Sequence, residues 1–540
     1  MTLLLPTIIV IGNCTLGILT PITDGAVDDM SMLDAVWRFV QGQHLGTDFH
    51  DPRGFGLFQV AAMLWRMLGP HYYVLWASAA LFSLAIVYCG CVVSTRQLRD
   101  AVGLAALFCM TVACIASGPS IYGYPHIFGF ALSYNRLMMA ASLVLFMQSF
   151  ANDLDERPQR GFIDYFIATF VLNILFLLKI SGLFVGLAIV VIGLILRGPL
   201  RRCLMGICVV LLLLVIMVAV DFILTGANLY QVILEYRMAA QGRVGARSAL
   251  DVLSSACRLP ILAVVVSMAL YAVSRPGWEA SKHLSRICLI IAFYWVCQVV
   301  LNMSNGSPPA YIYLAPALAV AVVTWADGPD IKLSWNRVWR RFHPRRLSEL
   351  SVRQLLPLAV IGMAFVPEAV ASVRAAHIDY LVSLGAIQII PVSANKGVEF
   401  KIRRDAHDGP LAPYLNRAIL AIEDLGVSRE TIVNLDNENP FPTLFLAPDP
   451  KGVWVWWDFT SDTNVPVGYR PSWQEVIGDA CIVTEPKHPP TTEAKYYSEP
   501  LINAVEPHLA IAFTIVYEDE LWKIWKRKGG CRPIGSQADQ

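Results

Sequence analysis

Charged residues are scarce in this chain of 540 residues. Asp, Glu, Lys and Arg together make up 15% of it, while hydrophobic residues make up 56% and the mean hydropathy is +0.54. A soluble globular domain usually has about 25% charged residues, so this composition excludes an ordinary soluble protein. The formal net charge is only +1, which gives no basis for binding nucleic acid.

Zinc-binding cysteine motifs are also missing. The twelve cysteines include no CxxC pair and no Cys/His group with zinc-ligand spacing. Ten lie at or before position 297, mostly in apolar segments where a thiol behaves as a small hydrophobic side chain. The other two, Cys481 and Cys531, lie in a polar segment and could form a disulfide if that segment is outside the cytoplasm.

The N-terminus lacks the basic region and the cleavage site of a secretory signal, so we interpret its apolar segment as a retained membrane span. The apolar segment 55–68 is short for a span and is expected to re-enter the membrane or to lie at its surface. Hydropathy predicts about eleven spans. They are 2–21, 71–94, 100–117, 134–151, 162–179, 181–197, 203–223, 260–275, 286–303, 311–326 and 356–372.

The distribution of Lys and Arg predicts how these spans are oriented. Basic residues accumulate in five loops, and such loops are normally cytoplasmic. With eleven spans the N-terminus is then cytoplasmic, and the first loop, 22–70, faces outward. We therefore predict a polytopic α-helical membrane domain over 1–372 and an extracytoplasmic domain over 373–540. Strand-like segments at 453–457 and 509–516 and a candidate helix at 411–425 predict an α/β or α+β fold for the second domain.

The first outer loop carries the densest group of acids. Residues 24–53 contain six aspartates, and carboxylates at a membrane face are costly unless they are solvated, paired or used. Residues 26–41 have apolar positions at helical spacing, which predicts an amphipathic helix on the outer membrane surface with Trp37 at the interface. Asp34 and Arg38 are four residues apart on this helix and are expected to neutralise each other.

The pattern of this loop resembles the GT-C superfamily of integral-membrane glycosyltransferases. This superfamily includes the bacterial aminoarabinose and galacturonic-acid transferases of lipopolysaccharide and the protein O-mannosyltransferases. Two further matches are the segments SYNR at 133–136 and KISG at 179–182. The resemblance covers the membrane half, whereas the C-terminal domain matches only in position. The matching loop residues are Asp28, Asp29, Gly42, Asp48, Phe49, Asp51, Pro52, Gly54, Leu68 and Gly69.

The resemblance implies a catalytic carboxylate at Asp28 or Asp29 and a polyprenyl-phosphate sugar donor. The sugar would be transferred with inversion to an envelope lipid, glycan or protein. Independently of the family, an acceptor hydroxyl needs a general base, and a departing phosphate needs a cation nearby. The candidate acids are Asp24, Asp28 and Asp29, and the candidate substrate-binding residues are Asp48, His50, Asp51, Arg53, Arg136, Lys179, Arg237, Arg243 and Arg247.

Each candidate also has a structural interpretation. The acids could cap or solvate the helix that follows. Asp48, His50 and Asp51 could be ordinary loop polarity, or they could bind a divalent cation, Mg²⁺ or Mn²⁺, through carboxylate oxygens. Long cationic side chains at span ends could simply extend to the membrane surface. Trp454 and Trp457 are expected to pack in a core or at the membrane interface rather than to form a sugar-binding surface.

The favoured function is therefore a lipid-phosphate-sugar glycosyltransferase at the outer face of a bacterial inner membrane. The alternative is a transporter or flippase for a lipid-linked or anionic solute, which should show an internal repeat and charged or broken helices at mid-membrane. The sequence shows no such repeat, and its ionisable residues cluster at the outer ends of the spans. A non-catalytic assembly protein would leave the acids of the first loop unexplained.

Overall fold

The computed structural model is mostly helical, with short strands concentrated in its C-terminal part. The residues that it describes are 3–51, 53–97, 102–120, 127–130, 133–150, 161–195, 200–246, 352–394, 397–457, 471–488 and 492–530. The helices are α1 (Leu4–Leu19), α2 (Ala26–Val40), α3 (Gly56–Leu68), α4 (Tyr73–Gln97), α5 (Val102–Ser117), α6 (Ser133–Phe150), α7 (Phe162–Leu178), α8 (Ile180–Ile195), α9 (Leu200–Thr225), α10 (Leu229–Ala246), α11 (Val352–Ser383), α12 (Leu411–Asp424), α13 (Phe441–Phe445), α14 (Trp473–Ile477) and α15 (Thr492–Ala512).

Eight of the predicted spans coincide with helices, namely α1, α4 to α9, and α11. The predicted spans at 260–275, 286–303 and 311–326 lie outside the described residues. In the described part, Tyr73–Gln97 and Arg201–Thr225 are long and apolar enough to cross a membrane, and five shorter apolar helices accompany them.

Small residues set how closely the apolar helices approach one another. Helix α4 packs against α1, α5 and α6. A Cβ on Gly17 of α1 would lie 2.7 Å from the ring of Trp76 on α4, so the absence of a side chain at this position lets the two helices meet. Helix α11 packs against α1 and α5 and continues past the predicted boundary at residue 372.

The short apolar segment after the first loop forms helix α3. Its buried side includes Ala61 and Trp65, while Met63 and Met67 are exposed. An exposed apolar side on a short helix agrees with both predicted locations, at the membrane surface or re-entering the membrane. A further helix, α10, was not predicted and lies in the loop after the seventh predicted span.

The C-terminal part is built around a four-stranded mixed sheet. Its strands lie in the order β4 (Ile432–Asn434), β6 (Ile482–Pro486), β8 (Trp522–Arg527) and β7 (Phe513–Glu518), with β4 parallel to β6 and the other neighbours antiparallel. The predicted helix at 411–425 is present as α12, and Trp454 and Trp457 are buried as expected. The strands are β1 (Phe49–His50), β2 (Ile389–Val392), β3 (Phe400–Arg403), β4 (Ile432–Asn434), β5 (Val453–Trp454), β6 (Ile482–Pro486), β7 (Phe513–Glu518) and β8 (Trp522–Arg527).

The strand expected at 509–516 begins later than predicted. Helix α15 continues to Ala512, and β7 starts only at the next residue. The cause is tertiary, since Leu501, Val505 and Leu509 recur at four-residue spacing and are all fully buried on one side of α15. Cys481 is disulfide-bonded, and its predicted partner Cys531 lies outside the described residues.

The C-terminal part of the chain, for which we keep the name C-terminal domain, lies directly on the loop at 22–70, for which we keep the predicted name first outer loop. Strand β1 of the loop pairs in parallel with β5 of the domain, and Ile22 forms a bridge with Ile402. The indole N–H of Trp37 donates to the carbonyl of Ala447 at 2.8 Å. Helix α2 is therefore covered by protein along much of its polar side, where Asp29, Asp34 and Arg38 are buried. The amphipathic pattern arises because the domain supplies polar partners to that side.

Candidate functional site

The structure separates the two members of the acidic pair at the start of α2. Asp29 is fully buried, and its Oδ2 accepts hydrogen bonds from the Tyr72 hydroxyl at 2.6 Å and the Phe130 N–H at 2.9 Å. Asp28 is only partly buried. Of the two acids, Asp28 is therefore the more exposed.

Local backbone geometry places this pair. Gly25 has a φ of 76°, a conformation that favours glycine, and it turns the chain into the first residue of α2. The N–H of Ala26 then donates to Oδ2 of Asp408 at 2.7 Å. A carboxylate from the C-terminal domain thus caps the helix, and Asp24, predicted as a possible cap, instead accepts from the Gly25 N–H at 2.7 Å.

Arg53 is the cation next to Asp28. Its guanidinium donates to both oxygens of Asp51, with the shortest contact at 2.7 Å, and to the hydroxyl of Ser31 at 2.8 Å. It also lies 5.3 Å from the ring centroids of Phe58 and Trp456. Its position is therefore fixed on all sides, and it is close enough to Asp28 to interact with it electrostatically.

Lys179 and Arg53 both lie near the same aromatic residue, Tyr134. The ammonium of Lys179 lies 5.1 Å from the ring centroid of Tyr134, a residue that also interacts electrostatically with Arg53. A Cβ on Gly54 would lie 2.0 Å from the carbonyl oxygen of Leu178. The glycine of the loop motif is thus required because the loop touches the backbone immediately before Lys179.

Arg136 occupies a different environment. It is buried, its Nη1 lies 2.7 Å from Oε2 of Glu368 on α11, and it donates to the carbonyl and the hydroxyl of Ser120. Lys179 is buried as well, so neither side chain extends to the surface as the structural interpretation proposed. The ion pair with Glu368 instead ties α6 to the last helix before the C-terminal domain.

The loop residues considered for a divalent cation each have a separate partner. Asp48 pairs with Lys451 at 3.0 Å, His50 pairs with Glu235 at 2.7 Å, and Asp51 binds the arginine two residues further on. These three side chains therefore do not form a common metal site. Among the described residues, the group whose ligating atoms converge is Asp24, His407 and Asp408, of which the sequence indicated only the first.

Three arginines in the loop after the seventh predicted span were candidates for binding the substrate. Arg237 is exposed on α10. The side chain of Arg243 and all of Arg247 lie outside the described residues. The functional group that α10 supplies is Glu235, which binds His50 and accepts from the Asp51 N–H at 3.1 Å. Burial raises the pKa of Glu235. No sequence motif marked this residue.

The C-terminal domain adds further acids next to Asp28. Burial raises the pKa of Asp436 to about 7. Burial raises the pKa of Glu438 well above its usual range, and the nearby charges of Asp436, Asp28 and Asp408 add to the shift. In the sequence these acids belong to the polar segment DNEN at 436–439, which follows β4 after one residue, and the structure buries most of it.

The other end of α2 has a closed group of charges, which we call the Arg38 cluster (Asp34, Arg38 and Asp449). Arg38 pairs with Asp34 at 3.0 Å and with Asp449 at 3.4 Å, and it donates to the carbonyl of Pro450 at 2.8 Å. All three members are buried. The predicted pair of Asp34 and Arg38 is present, with a third member that comes from the C-terminal domain.

Comparisons with known proteins place few constraints on this chain. No protein-family model matches it, and a search of curated proteins finds no match. Among solved structures it is similar to ArnT from Cupriavidus metallidurans bound to undecaprenyl phosphate, with 12% identity, 97% of each chain covered and a TM-score of 0.46. It is also similar to the apo state of that protein, with 11% identity, 95% of each chain covered and a TM-score of 0.36.

Similarities at these identities and TM-scores do not assign a function to this chain.

Proposed function

We propose that this chain is an integral-membrane glycosyltransferase of the GT-C type. It transfers a sugar from a polyprenyl-phosphate donor to an acceptor hydroxyl on an envelope lipid, glycan or protein. The reaction takes place at the outer face of a bacterial inner membrane, and the C-terminal domain lies on the same side. In support, the candidate site is formed jointly by the first outer loop, the ends of α6 and α7, and that domain.

The observation that carries this proposal is the placement of Asp28. It is partly buried in the first turn of α2, where the helix N-terminus favours an ionised carboxylate. Its neighbour Asp29 is buried and hydrogen-bonded to Tyr72 and Phe130. Of this pair, one carboxylate is accessible as a base and the other fixes the helix against the membrane domain.

The reaction then assigns a role to each group. Asp28 accepts the proton of the acceptor hydroxyl, whose oxygen attacks the anomeric carbon as the bond from that carbon to the phosphate oxygen breaks. The polyprenyl phosphate leaves with the bonding electrons, and the sugar is inverted. Lys179 and Arg53, which are both close to Tyr134, stabilise the negative charge on the leaving phosphate. Arg136 has no part in this step, because its charge is compensated by Glu368.

The test is sugar transfer from a radiolabelled polyprenyl-phosphate sugar by the purified protein, compared between Asp28→Asn and Asp29→Asn. Asp28→Asn keeps the shape of the side chain and removes its basicity, so turnover should fall by roughly 10² or more while donor binding is kept. Asp29→Asn can still accept one hydrogen bond at Oδ1 and should retain more activity.

Normal turnover in both variants would contradict the role of Asp28. Recovery of intact donor, with no free polyprenyl phosphate formed in the presence of acceptor extracts, would instead support the flippase alternative. That alternative moves the lipid-linked sugar without breaking the bond to phosphate.

A further inference from the structure

A group of metal-ligating side chains lies where the first outer loop meets the C-terminal domain. Nδ1 of His407 lies 3.2 Å from Oδ1 of Asp408 and 3.6 Å from Oδ1 of Asp24. All three ligating atoms lie within 4.8 Å of one another. Two ligands that each lie about 2.1 Å from a tetrahedral ion are about 3.4 Å apart, so the observed spacing matches that of ligands around one ion.

The carboxylate of Asp408 is oriented before any ion binds. Its Oδ2 accepts from the N–H of Ala26 at 2.7 Å, which leaves Oδ1 directed toward His407. Hydrogen bonds from the protein to a ligating carboxylate fix its orientation in metal sites generally. Asp408 is buried, whereas Asp24 is partly and His407 largely exposed. An ion could therefore enter from solvent without opening the fold.

A further observation concerns the buried carboxyl group of Glu438. Only 5% of this residue is exposed, and its Oε2 has no hydrogen-bond partner among the described residues. It interacts electrostatically with Asp408, a member of the group, and with Asp28. A buried carboxyl oxygen without a hydrogen-bond partner is costly unless a proton or a cation compensates it, and an ion held by Asp408 would provide such a charge.

We propose that Asp24, His407 and Asp408 bind one divalent transition-metal ion of the Zn²⁺ or Mn²⁺ type. One imidazole and two carboxylates suit these ions better than Mg²⁺, which prefers an all-oxygen octahedral shell. The ion joins the first outer loop to the C-terminal domain two residues before α2 begins. It also places positive charge beside the acids around Asp28. Ion binding does not depend on sugar transfer and is measured without any substrate.

The test uses the full-length protein in detergent, stripped with a chelator and dialysed, then titrated with ZnCl₂ and separately with MnCl₂ by calorimetry. Bound metal is also counted by mass spectrometry. We expect one ion per chain, and thermal stabilisation of the stripped protein when Zn²⁺ is added. His407→Ala, which alters a largely exposed side chain, should weaken binding by roughly 100-fold or more, since loss of even an outer partner of a ligand costs 10–100-fold.

Two matched variants serve as controls. Asp405→Asn removes a carboxylate two residues from the site that pairs with Arg403 instead, and His488→Ala removes an exposed histidine elsewhere in the domain. Both should bind the ion with wild-type affinity. The proposal is overturned if the stripped wild-type protein binds neither ion, or if His407→Ala binds and is stabilised as well as the wild type. Either result would leave a hydrogen-bonded cluster without a metal.

Discussion

The two ends of α2 contain similar residues in opposite electrostatic situations. At the C-terminal end, burial raises the pKa of Asp449 well above its usual range. A protonated Asp449 leaves Arg38 and Asp34 as one cation and one anion, so the Arg38 cluster is neutral. At the N-terminal end, Asp28, Asp408 and Asp436 each raise the pKa of Glu438, and Arg53 is already bound to Asp51. That end has more acidic groups than cations to pair with them.

The difference shows how a structural group of buried charges can be told from a candidate site. A balanced and fully buried group is a closed structural unit, because each charge already has its partner. An excess of one sign that is only partly buried destabilises the fold unless a proton, an ion or a substrate compensates it. Substitutions at either end of α2, or at the ion pair between the first outer loop and the C-terminal domain, test this comparison.

The largest expected effect comes from breaking the balanced end. Arg38→Ala leaves Asp34 and Asp449 buried without their cation, which should lower the free energy of unfolding by about 3–5 kcal/mol. Thermal unfolding in detergent measures it. Arg66→Ala is the matched control, because Arg66 donates to the carbonyls of Phe39 and Val40 at the same end of α2 but is exposed. Equal destabilisation by the two variants would mean that the Arg38 cluster is not a closed unit.

Removing one of the acids at the N-terminal end of α2 should stabilise the protein. The pKa of Asp436 is about 7 in the folded state and about 3.9 in an unfolded chain. The folded state therefore keeps a proton that the unfolded state has lost, and stability falls as pH rises from about 4 to 7. Asp436→Asn removes this loss. It should raise stability at pH 8 by roughly 2–4 kcal/mol, at 1.36 kcal/mol per pKa unit, and change little at pH 4.

Asp519→Asn provides a control of opposite sign. Burial raises the pKa of Asp519, but hydrogen bonds from Tyr517 and Arg417 outweigh it and hold the pKa below its usual range. This carboxylate stabilises the fold above the unfolded pKa, so its replacement should lower the melting temperature at pH 8. If both variants shift the melting temperature at pH 8 in the same direction, the assigned charge states are wrong.

The next prediction distinguishes Lys179 from Arg136 as the cation that binds the donor phosphate near the acids. Lys179→Ala should slow sugar transfer by about ten- to a hundred-fold without unfolding the protein, because a charge-assisted contact contributes about 1.5–3 kcal/mol. Arg136→Ala should instead lower stability, since it leaves Glu368 buried without its partner. The double variant Arg136→Met with Glu368→Leu should recover stability and activity. A stable but inactive double variant would return Arg136 to the donor site that the sequence predicted.

The smallest effect is expected at an exposed ion pair between the C-terminal domain and the first outer loop. Lys451 pairs with Asp48 at 3.0 Å, but half of the lysine side chain is exposed. Pairs of this kind contribute about 0–1 kcal/mol and are screened by salt. Lys451→Ala should therefore shift the melting temperature only slightly at low ionic strength and not at all at high salt. A loss as large as that of Arg38→Ala would contradict the comparison between buried and exposed charges.

Much of the helical architecture follows from local sequence. Long apolar segments predicted the helices from α4 to α9 within a few residues, because hydrophobic length and helical spacing are properties of the segment itself. The helices at 26–41 and at 411–425 were also predictable from pattern. The extent of α15 was not, because a strand-like segment became helical when its apolar residues packed on the sheet. The helix α10 lacks a marked apolar pattern and was missed.

For the candidate site, the sequence by itself determined which residue types gather in the first outer loop, including the acidic pair, Arg53 and the glycine at 54. Only the tertiary structure decided which acid of the pair is accessible. It also brought Glu235, His407, Asp408 and Glu438 to the loop from positions far along the chain. The physical reason is that the cost of a buried charge depends on which partners reach it, and those partners are set by the fold rather than by spacing in the sequence.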